Sequence, residues 1–549
     1  MHSVTGAGPD RPAADPAGSA DPGDSADPAR ATAGRARLLA GLAAAGIGAA
    51  ILIMIAASAV RDSWMYPPIV LPAWGPPWDL QWAHVPVGVV TVALWVAVLA
   101  GLGGVLAGLA AVRLGARPSV RGLLVAAALA VAVLTVLLPA GSTDALDYAA
   151  YGRILALGHN PYVMTPYQLR LAHNAFARSV PSTWQHFVSV YGPLATAEQF
   201  LAAKLGGMSA ARIAFWLKLG SSLAFGLVAF VADRLLRHDP ARRLRAHLLW
   251  TVNPLLLWVI VAAGHLDVLA AAAGLLGLLA LGDAGAPGAA RPSVARLAAA
   301  GALIGVAADI KANYVLFGLG AAWVLRRSPA ALATAALAGL AVLVPGYAWF
   351  GMPAVRALAA RRDGLSADSF YRDLLVPSLR PHLALIAAVV VVAAAVLTLR
   401  RLPDAVSGRP VIRAALALSV AWLFFWPYQF PWYDTMIICL LVFYPASRLD
   451  WLVLARLAAA TIANIPGNPR APLGPFVGLI HHLNVAVFSP LALLAAAAGL
   501  VVLCLTGRWK LRQPGEPPGT GPGEPPGTGP GEPPGTGPGE AQPTRATTG

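Results

Sequence analysis

Two aspartates stand one helical turn apart in GSTDALDYAAYGRILALGHNPY at 141–162, directly after an apolar run. On a helix that starts near Asp144, its carboxylate and that of Asp147 share one face with two phenols, Tyr148 and Tyr151. A carboxylate at a membrane surface suits a general base that takes the proton of an acceptor hydroxyl. The alternative is a capping box with Asp144 as the N-cap. Spacing alone is compatible with both roles.

Charged groups also lie at two later boundaries between apolar runs. His265 and Asp267 occur in GHLD, and Lys311 lies in DIKAN. The lysine is a point charge that suits a phosphate, while His265 and Asp267 suit a phosphate, a sugar or the positioning of a base. The alternatives are a polar turn and an interfacial lysine that reaches water. Two ligands at GHLD do not make a metal site. A divalent metal on Asp144 and Asp147 stays open, although no full ligand set is visible.

Arginines are concentrated in the loop 351–382, between two apolar runs. Guanidinium groups bind phosphate oxygens in bidentate fashion, so an anionic ligand is one explanation. Pairing with the aspartates of this loop, or with lipid headgroups, is the other. The candidate ligands among them are Arg361, Arg362 and Arg372.

The segment WPYQFPWYD at 426–434 is dense in aromatic rings. Stacking of a sugar on Trp432 or Tyr433 would explain them. Aromatic side chains at membrane interfaces more often act as anchors, and that alternative stays open.

The composition excludes an ordinary soluble protein. Of the 549 residues, 57% are hydrophobic and 12% are charged, and the mean hydropathy is +0.65. Soluble domains carry about 25% charged residues. Since a spanning helix needs roughly 20 apolar residues and such runs recur, we predict an all-α polytopic membrane bundle of about 14 transmembrane helices.

The formal net charge of +15 does not indicate a nucleic-acid partner. The arginines form short clusters between apolar runs, as membrane orientation requires. With the N-terminus in the cytoplasm, residues 141–208 form one long outer loop and 351–382 a second. We predict a multi-pass plasma-membrane protein with both termini cytoplasmic and an extracytoplasmic active site.

Both ends of the chain have the composition of tails. Residues 1–36 are rich in Ala, Asp, Pro and Gly, and residues 513–549 contain GEPPGTGP three times in tandem. Such segments cannot form a packed core, so we expect disorder in both. The transmembrane domain is predicted at 37–512.

The run TDALDYAAYGRILALGHNPY resembles the first outer loop of the actinobacterial polyprenol-phosphomannose-dependent α-mannosyltransferases, which are membrane glycosyltransferases of the GT-C fold. VYGPLA, GHLD and PWY follow in the expected order. Asp147 and the arginine-rich loop have no counterpart that we can carry over. The matching positions are Asp144, Tyr148, Gly152, Arg153, Gly158, Asn160, Pro161, Tyr162, Tyr191, Gly192, Pro193, Asn253, Pro254, Gly264, His265, Asp267, Pro431, Trp432 and Tyr433.

The resemblance implies transfer of a sugar from a polyprenyl-phosphate donor to a glycan or glycolipid acceptor, with inversion and an aspartate base. Mannose is the sugar that the resemblance favours. Related GT-C enzymes use polyprenyl-phosphate arabinose, which is one alternative. A transporter or a non-catalytic lipid-binding protein is another. The expected residues are Asp144 and Asp147 for catalysis; His265, Asp267, Lys311, Arg153, Arg361, Arg362 and Arg372 for the donor; and Tyr148, Tyr151, Asn160, Tyr162, Tyr191, Trp432 and Tyr433 for the acceptor.

Overall fold

Helices make up most of the protein. The computed structural model describes residues 28–61, 70–172, 180, 184–360, 364–403, 409–466 and 472–511.

The chain begins with α1 Pro28–Ala59, β1 Val60–Arg61, β2 Leu80–His84, α2 Val87–Arg113 and α3 Val120–Val136. The two short strands pair in parallel. α1 and α2 cross at glycines, where a Cβ on Gly46 would lie 2.7 Å from the carbonyl oxygen of Ala100. Small residues allow membrane helices to approach this closely.

Three helices follow: α4 Asp144–Ala156, α5 Pro166–Leu171 and α6 Pro193–Gly206. α4 and α6 pack closely because Gly152 has no side chain. A Cβ there would lie 2.1 Å from the carbonyl oxygen of Gln199 on α6. The predicted outer loop 141–208 therefore contains helices, and α6 holds the carboxylate-bearing helix in place.

The middle of the chain contributes α7 Ala210–Leu235, α8 Pro240–Ala246, α9 Pro254–Leu256, α10 Asp267–Ala280, α11 Val294–Ile310, α12 Val315–Leu325 and α13 Pro329–Phe350. Two π-helical stretches, His247–Thr251 and Leu257–Ala262, flank α9. Side chains around α9 are buried, including Trp250, which stacks on Phe225 with 5.1 Å between ring centroids. This stretch is the centre of the bundle, and GHLD follows it directly.

The last helices are α14 Met352–Ala359, α15 Tyr371–Leu374, α16 Leu383–Arg401, α17 Pro410–Phe425, α18 Thr435–Leu441, α19 Arg448–Asn464, α20 Pro475–Leu483 and α21 Ser489–Thr506. Short 3₁₀ turns lie at Ala312–Tyr314, Pro377–His382 and Pro431–Asp434, and a π-helical turn at Asn484–Phe488. The predicted second outer loop, 351–382, therefore contains short helices as well.

Several helices have the length and composition of membrane spans, as expected for a helical membrane protein. Among the described residues, seven are long and apolar enough, and four shorter apolar helices accompany them. The predicted total of fourteen spans stays a prediction. The seven are Arg30–Ala59, Val87–Arg113, Ala210–Leu235, Pro240–Ala262, Pro329–Phe350, Pro377–Arg401 and Pro475–Thr506.

The first helix begins earlier than the composition predicts. α1 starts at Pro28, inside the segment 1–36 that we expected to be a disordered tail. Alanine and arginine are strong helix formers, and PARATAGRAR at its start is rich in both. The predicted C-terminal tail, 513–549, lies outside the described residues.

Candidate functional site

Helix α4 presents two carboxyl groups in its first turn. Asp144 is the first helical residue, and the N-cap, Thr143, makes no side-chain capping bond. The capping-box interpretation is therefore wrong. The backbone N–H of Asp144 instead donates to Ser142 Oγ at 3.2 Å. The Asp144 side chain is 14% exposed and Asp147 is 4% exposed, so both carboxyl groups stand largely out of water.

His265 packs directly against Asp144. Its Nδ1 lies 3.8 Å from a carboxylate oxygen of Asp144 and 3.2 Å from the Tyr148 hydroxyl. Its ring stacks on Trp432 with 3.8 Å between centroids and 17° between planes. Burial, followed by the charge of Lys311, lowers the pKa of His265 well below its ordinary value. The imidazole is therefore neutral, and its Nδ1 lies within hydrogen-bond distance of the Tyr148 hydroxyl, beside Asp144.

Lys311 forms an ion pair with Asp267, the first residue of α10. Its Nζ lies 2.7 Å from each carboxylate oxygen of Asp267. The Tyr314 hydroxyl donates to the backbone carbonyl of Asp267 at 2.9 Å, and the Lys311 ammonium lies 4.2 Å from the ring centroid of Tyr433. This second contact is a cation–π interaction. Asp267 thus fixes the position of the Lys311 ammonium group through both of its carboxylate oxygens.

Arg456 fixes the aromatic segment 426–434 from the other side. It lies on α19, is 1% exposed, and donates to the carboxylate of Asp434 and the side-chain oxygen of Gln429. Both partners flank Trp432, the ring that stacks on His265. We did not predict Arg456 or Gln429 from the sequence. A lone arginine in the apolar run of α19 is the signal that marks it, because charges inside membrane helices are costly.

A first cavity, of about 450 Å³, opens next to both carboxyl groups. Its wall consists mostly of aromatic and aliphatic side chains, with a few polar groups. The polar residues are Asp144, Asp147, Lys311 and Asn313, and the aromatic residues are Tyr151, Trp184, Tyr191, Trp422, Trp426, Tyr428, Phe430, Trp432 and Tyr433.

A second cavity, of about 360 Å³, lies against the first. Its wall carries more hydrogen-bonding groups, drawn from distant parts of the chain. The polar residues are Ser142, Thr143, Asp144, Ser366, Asp368, Gln429, Asn464 and His481.

Asp144 is the polar residue that the two cavities share. Trp184, Tyr428, Phe430 and Trp432 also line both, so an aromatic partition separates them. The Phe430 and Trp432 rings are parallel within 3°, with 4.7 Å between their centroids. A molecule in either cavity would therefore contact the same carboxylate.

The two carboxyl groups of α4 differ in acidity although they lie one turn apart. Burial raises the pKa of Asp144 to about 6, against the opposing effects of Lys311 and Ser142. Burial, reinforced by the charge of Asp144, raises the pKa of Asp147 well above its ordinary value. At neutral pH, Asp144 is therefore mostly ionised, and burial favours the protonated form of Asp147.

Two motif residues have structural roles. Asn160 Oδ1 accepts a hydrogen bond from the backbone N–H of Tyr162 at 2.9 Å, which forms the turn after α4. The Tyr162 hydroxyl donates to the carbonyl of Tyr191 at 2.7 Å and lies 2.8 Å from Thr196 Oγ1. Neither Asn160 nor Tyr162 lines either cavity, whereas Tyr191 lines the first.

The predicted arginine ligands do not meet at this site. Arg153 contacts the sulfur of Met208, and exposed Arg372 donates to a backbone carbonyl of its own loop. Neither lines either cavity. Arg361 and Arg362 lie in the part of the chain that the structure does not describe.

The described residues contain no group of three or more His, Cys, Asp or Glu side chains placed to hold a metal ion. Asp144 and Asp147 are not part of such a group. The arrangement consists instead of an ionised carboxylate, a neutral imidazole and a paired lysine around two cavities.

No curated protein sequence matches the chain. The family model for alpha-(1->6)-mannopyranosyltransferase, N-terminal domain, matches residues 43–327, just over half of the sequence. This range includes Asp144, Asp147, His265 and Lys311, and it ends before the aromatic segment. The chain therefore belongs to the alpha-(1->6)-mannopyranosyltransferase family.

Proposed function

We propose that this protein transfers mannose from a polyprenyl-phosphate mannose to a hydroxyl group of a cell-envelope glycan or glycolipid, at the extracytoplasmic face of the plasma membrane. The observation that carries the proposal is the position of Asp144 in the wall of two adjoining cavities. A base that serves two substrates must stand where they meet. Family membership supports mannosyl transfer, and the paired cavities support one site for each substrate.

The first cavity suits the lipid-linked donor. Its aromatic wall, which includes Trp422 and Trp426, provides apolar surface for isoprenoid units. Lys311 and Asn313 provide N–H donors for a phosphate. The sugar carbon attached to that phosphate would then face Asp144.

The second cavity suits a sugar acceptor. Hydroxyl groups need many hydrogen-bond partners, and Ser366, Asp368, Asn464 and His481 supply both donors and acceptors. Trp184 and Tyr428, which also line this cavity, add aromatic surface of the kind on which sugar rings stack. An acceptor hydroxyl would meet the donor at the shared carboxylate.

The reaction is a displacement at the anomeric carbon. Asp144 takes the proton of the acceptor hydroxyl, whose oxygen forms a bond to that carbon. The bond from the carbon to the phosphate oxygen breaks, and polyprenyl phosphate leaves with the electron pair. Acceptor and leaving group lie on opposite sides of the carbon, so the configuration inverts.

Three neighbouring groups support this step. Negative charge develops on the departing phosphate, and the Lys311 ammonium group stabilises it. Asp267 holds that ammonium in place through its two 2.7 Å contacts. His265 is neutral, so it positions Asp144 without neutralising it.

The test is sugar transfer by membranes that contain the full-length protein, Asp144→Asn or Asp283→Asn. Each is given labelled polyprenyl-phosphate mannose and, separately, polyprenyl-phosphate arabinose. Asparagine has the shape of aspartate but cannot accept the proton. Asp283 is the matched control because its side chain is 64% exposed and it lines neither cavity.

We expect mannose transfer by the wild type and by Asp283→Asn, and loss of transfer in Asp144→Asn. Equal transfer by wild type and Asp144→Asn would remove the base assignment. Transfer from the arabinose donor alone would replace the donor. Uptake of sugar into vesicles without transfer would support a transporter instead.

A further inference from the structure

Asp147 is a buried carboxyl group without a role in the reaction described above. It is 4% exposed and lines the first cavity but not the second. Within the described part of the chain, its Oδ1 has no hydrogen-bond partner. The group therefore has unused hydrogen-bonding capacity beside a cavity.

Two other buried aspartates near the site have a cation beside them. Asp267 is paired with Lys311, and Asp434 with Arg456. No lysine or arginine among the described residues forms such a pair with Asp147. A buried carboxylate without a cation is strongly destabilised and takes up a proton instead. Burial and the charge of Asp144 raise the pKa of Asp147 accordingly.

We infer that Asp147 is an uncharged hydrogen-bond donor to a phosphate oxygen of the lipid-linked sugar in the first cavity. The inference rests on the proposed function, because it assumes that the lipid phosphate occupies this cavity. Asp147 is then a donor-binding residue, and Asp144 alone is the base.

The charges around the cavity favour a phosphate as the partner. A protonated carboxyl group carries one O–H donor, whereas an ionised one accepts only and would repel an anion. The charge of Lys311 is already offset by Asp267. An uncharged donor adds a hydrogen bond to the phosphate without adding negative charge next to Asp144. A carboxylic acid that an apolar site keeps neutral can serve an oxyanion in this way.

The test measures binding of polyprenyl monophosphate, which carries no sugar, to the purified full-length protein in lipid nanodiscs. Asp147→Asn keeps the shape and an N–H donor, whereas Asp147→Ala keeps neither. We expect Asp147→Ala to weaken binding about tenfold or more, since hydrogen bonds to charged groups are strong. Asp147→Asn should stay within about threefold of the wild type. Asp283→Asn is the control and should bind as the wild type does.

Tighter binding by both the asparagine and the alanine variant would assign an ionised Asp147 that repels the phosphate, and equal weakening would show that an N–H donor does not replace the carboxyl group; either result would overturn the inference. Unchanged binding by Asp147→Ala, or loss of wild-type binding with a chelator, would overturn it as well. If Asp147→Ala does not fold, Asp147→Leu replaces it, since leucine has a similar size and no donor. Wild-type protein that transfers mannose while Asp147→Ala binds normally overturns this inference alone. Wild-type protein that binds no polyprenyl phosphate overturns the proposed function too.

Discussion

Asp450 and Asp144 both lie in the first turn of a helix, yet their surroundings differ. Asp450 is 2% exposed, and Arg245 donates to its two carboxylate oxygens at 2.8 and 2.5 Å. The same guanidinium group donates to the carbonyls of Leu441 and Tyr444, at 3.2 and 2.8 Å. This cluster joins α8, α18 and α19 and lines neither cavity described above.

The α4 carboxyl groups have no such partner. Asp144 lies 3.8 Å from Nδ1 of His265, which is neutral. Among the described residues, no lysine or arginine forms an ion pair with Asp147, and its Oδ1 has no hydrogen-bond partner. Both face a cavity instead of a guanidinium group. Asp450 is paired and joins three helices, whereas, in the described part of the chain, Asp144 and Asp147 form no ion pair with a lysine or arginine and face space that a ligand can fill. Perturbed carboxyl groups in a cleft mark candidate functional sites for this reason.

The largest effect should come from Asp144→Asn. We expect the rate of transfer to fall about 10³-fold, because general-base catalysis is lost. Stability should be kept, since a buried carboxylate without a cation is replaced by a neutral group of the same shape. The turnover rate checks the predicted loss of catalysis, and the midpoint of thermal unfolding in detergent checks the predicted stability. A variant that loses both would make Asp144 a structural residue like Asp450.

Asp450→Ala should show the opposite pattern. Removal of one partner leaves the buried guanidinium of Arg245 without its anion, which costs about 3 to 5 kcal/mol. Thermal unfolding in detergent should show a clear fall in the midpoint. The double variant Arg245→Met, Asp450→Leu should recover much of the loss, because it removes both charges. An unchanged midpoint in Asp450→Ala would contradict the comparison.

Arg456→Met tests the cluster of Arg456, Asp434 and Gln429, which combines a buried ion pair with contact to the site. Arg456 is structural in its pairing with Asp434, yet it holds the segment that carries Trp432. A displacement of about 1 Å at a reacting centre costs about 100-fold in rate, and we expect a loss of this order. Arg456→Lys keeps the charge and should lose less. The kcat and KM of both substrates, with tryptophan fluorescence for the ring positions, give the answer. Unchanged kcat would separate the aromatic segment from catalysis.

The smallest effect is a pH dependence. Asp144 must be ionised to accept a proton, and its pKa is about 6. Transfer should therefore be near its maximum at neutral pH and fall about tenfold per unit below pH 6. Asp147→Asn should leave the midpoint unchanged, because an uncharged Asp147, as inferred above, presents no charge that the substitution could remove. A midpoint near 4 would show that Asp144 is solvated as an ordinary aspartate.

The sequence contains good indications of the first cavity and poor ones of the second. Asp144, Lys311 and Trp432 stand out because each is a charged or aromatic group at the end of an apolar run. Asn464 and His481 come from separate helices late in the chain, and no spacing rule brings them together. Their meeting depends on how the last helices pack, which residue order alone does not reveal.

The fold, too, has features that the sequence predicts and features that it does not. Apolar runs predict the long helices because the bilayer requires them. They do not predict where α1 begins, since alanine and arginine extend that helix beyond its apolar run. The motif also leaves the roles of Asn160 and Tyr162 open. An amide or a phenol that stabilises the fold has the same place in a motif as one that binds a ligand.

Close contact at Gly152 limits how α4 can move. A Cβ there would lie 2.1 Å from the Gln199 carbonyl, and one on Gly192, just before α6, would lie 1.6 Å from the carbonyl of Asp309. The helix that carries Asp144 is thus in close contact with α6, and the start of α6 is in close contact with the end of α11. We expect a base that is stationary from one turnover to the next, so both substrates must come to it. A bulkier side chain at position 152 would meet the Gln199 carbonyl, and α4 could then keep its place only if α6 moved.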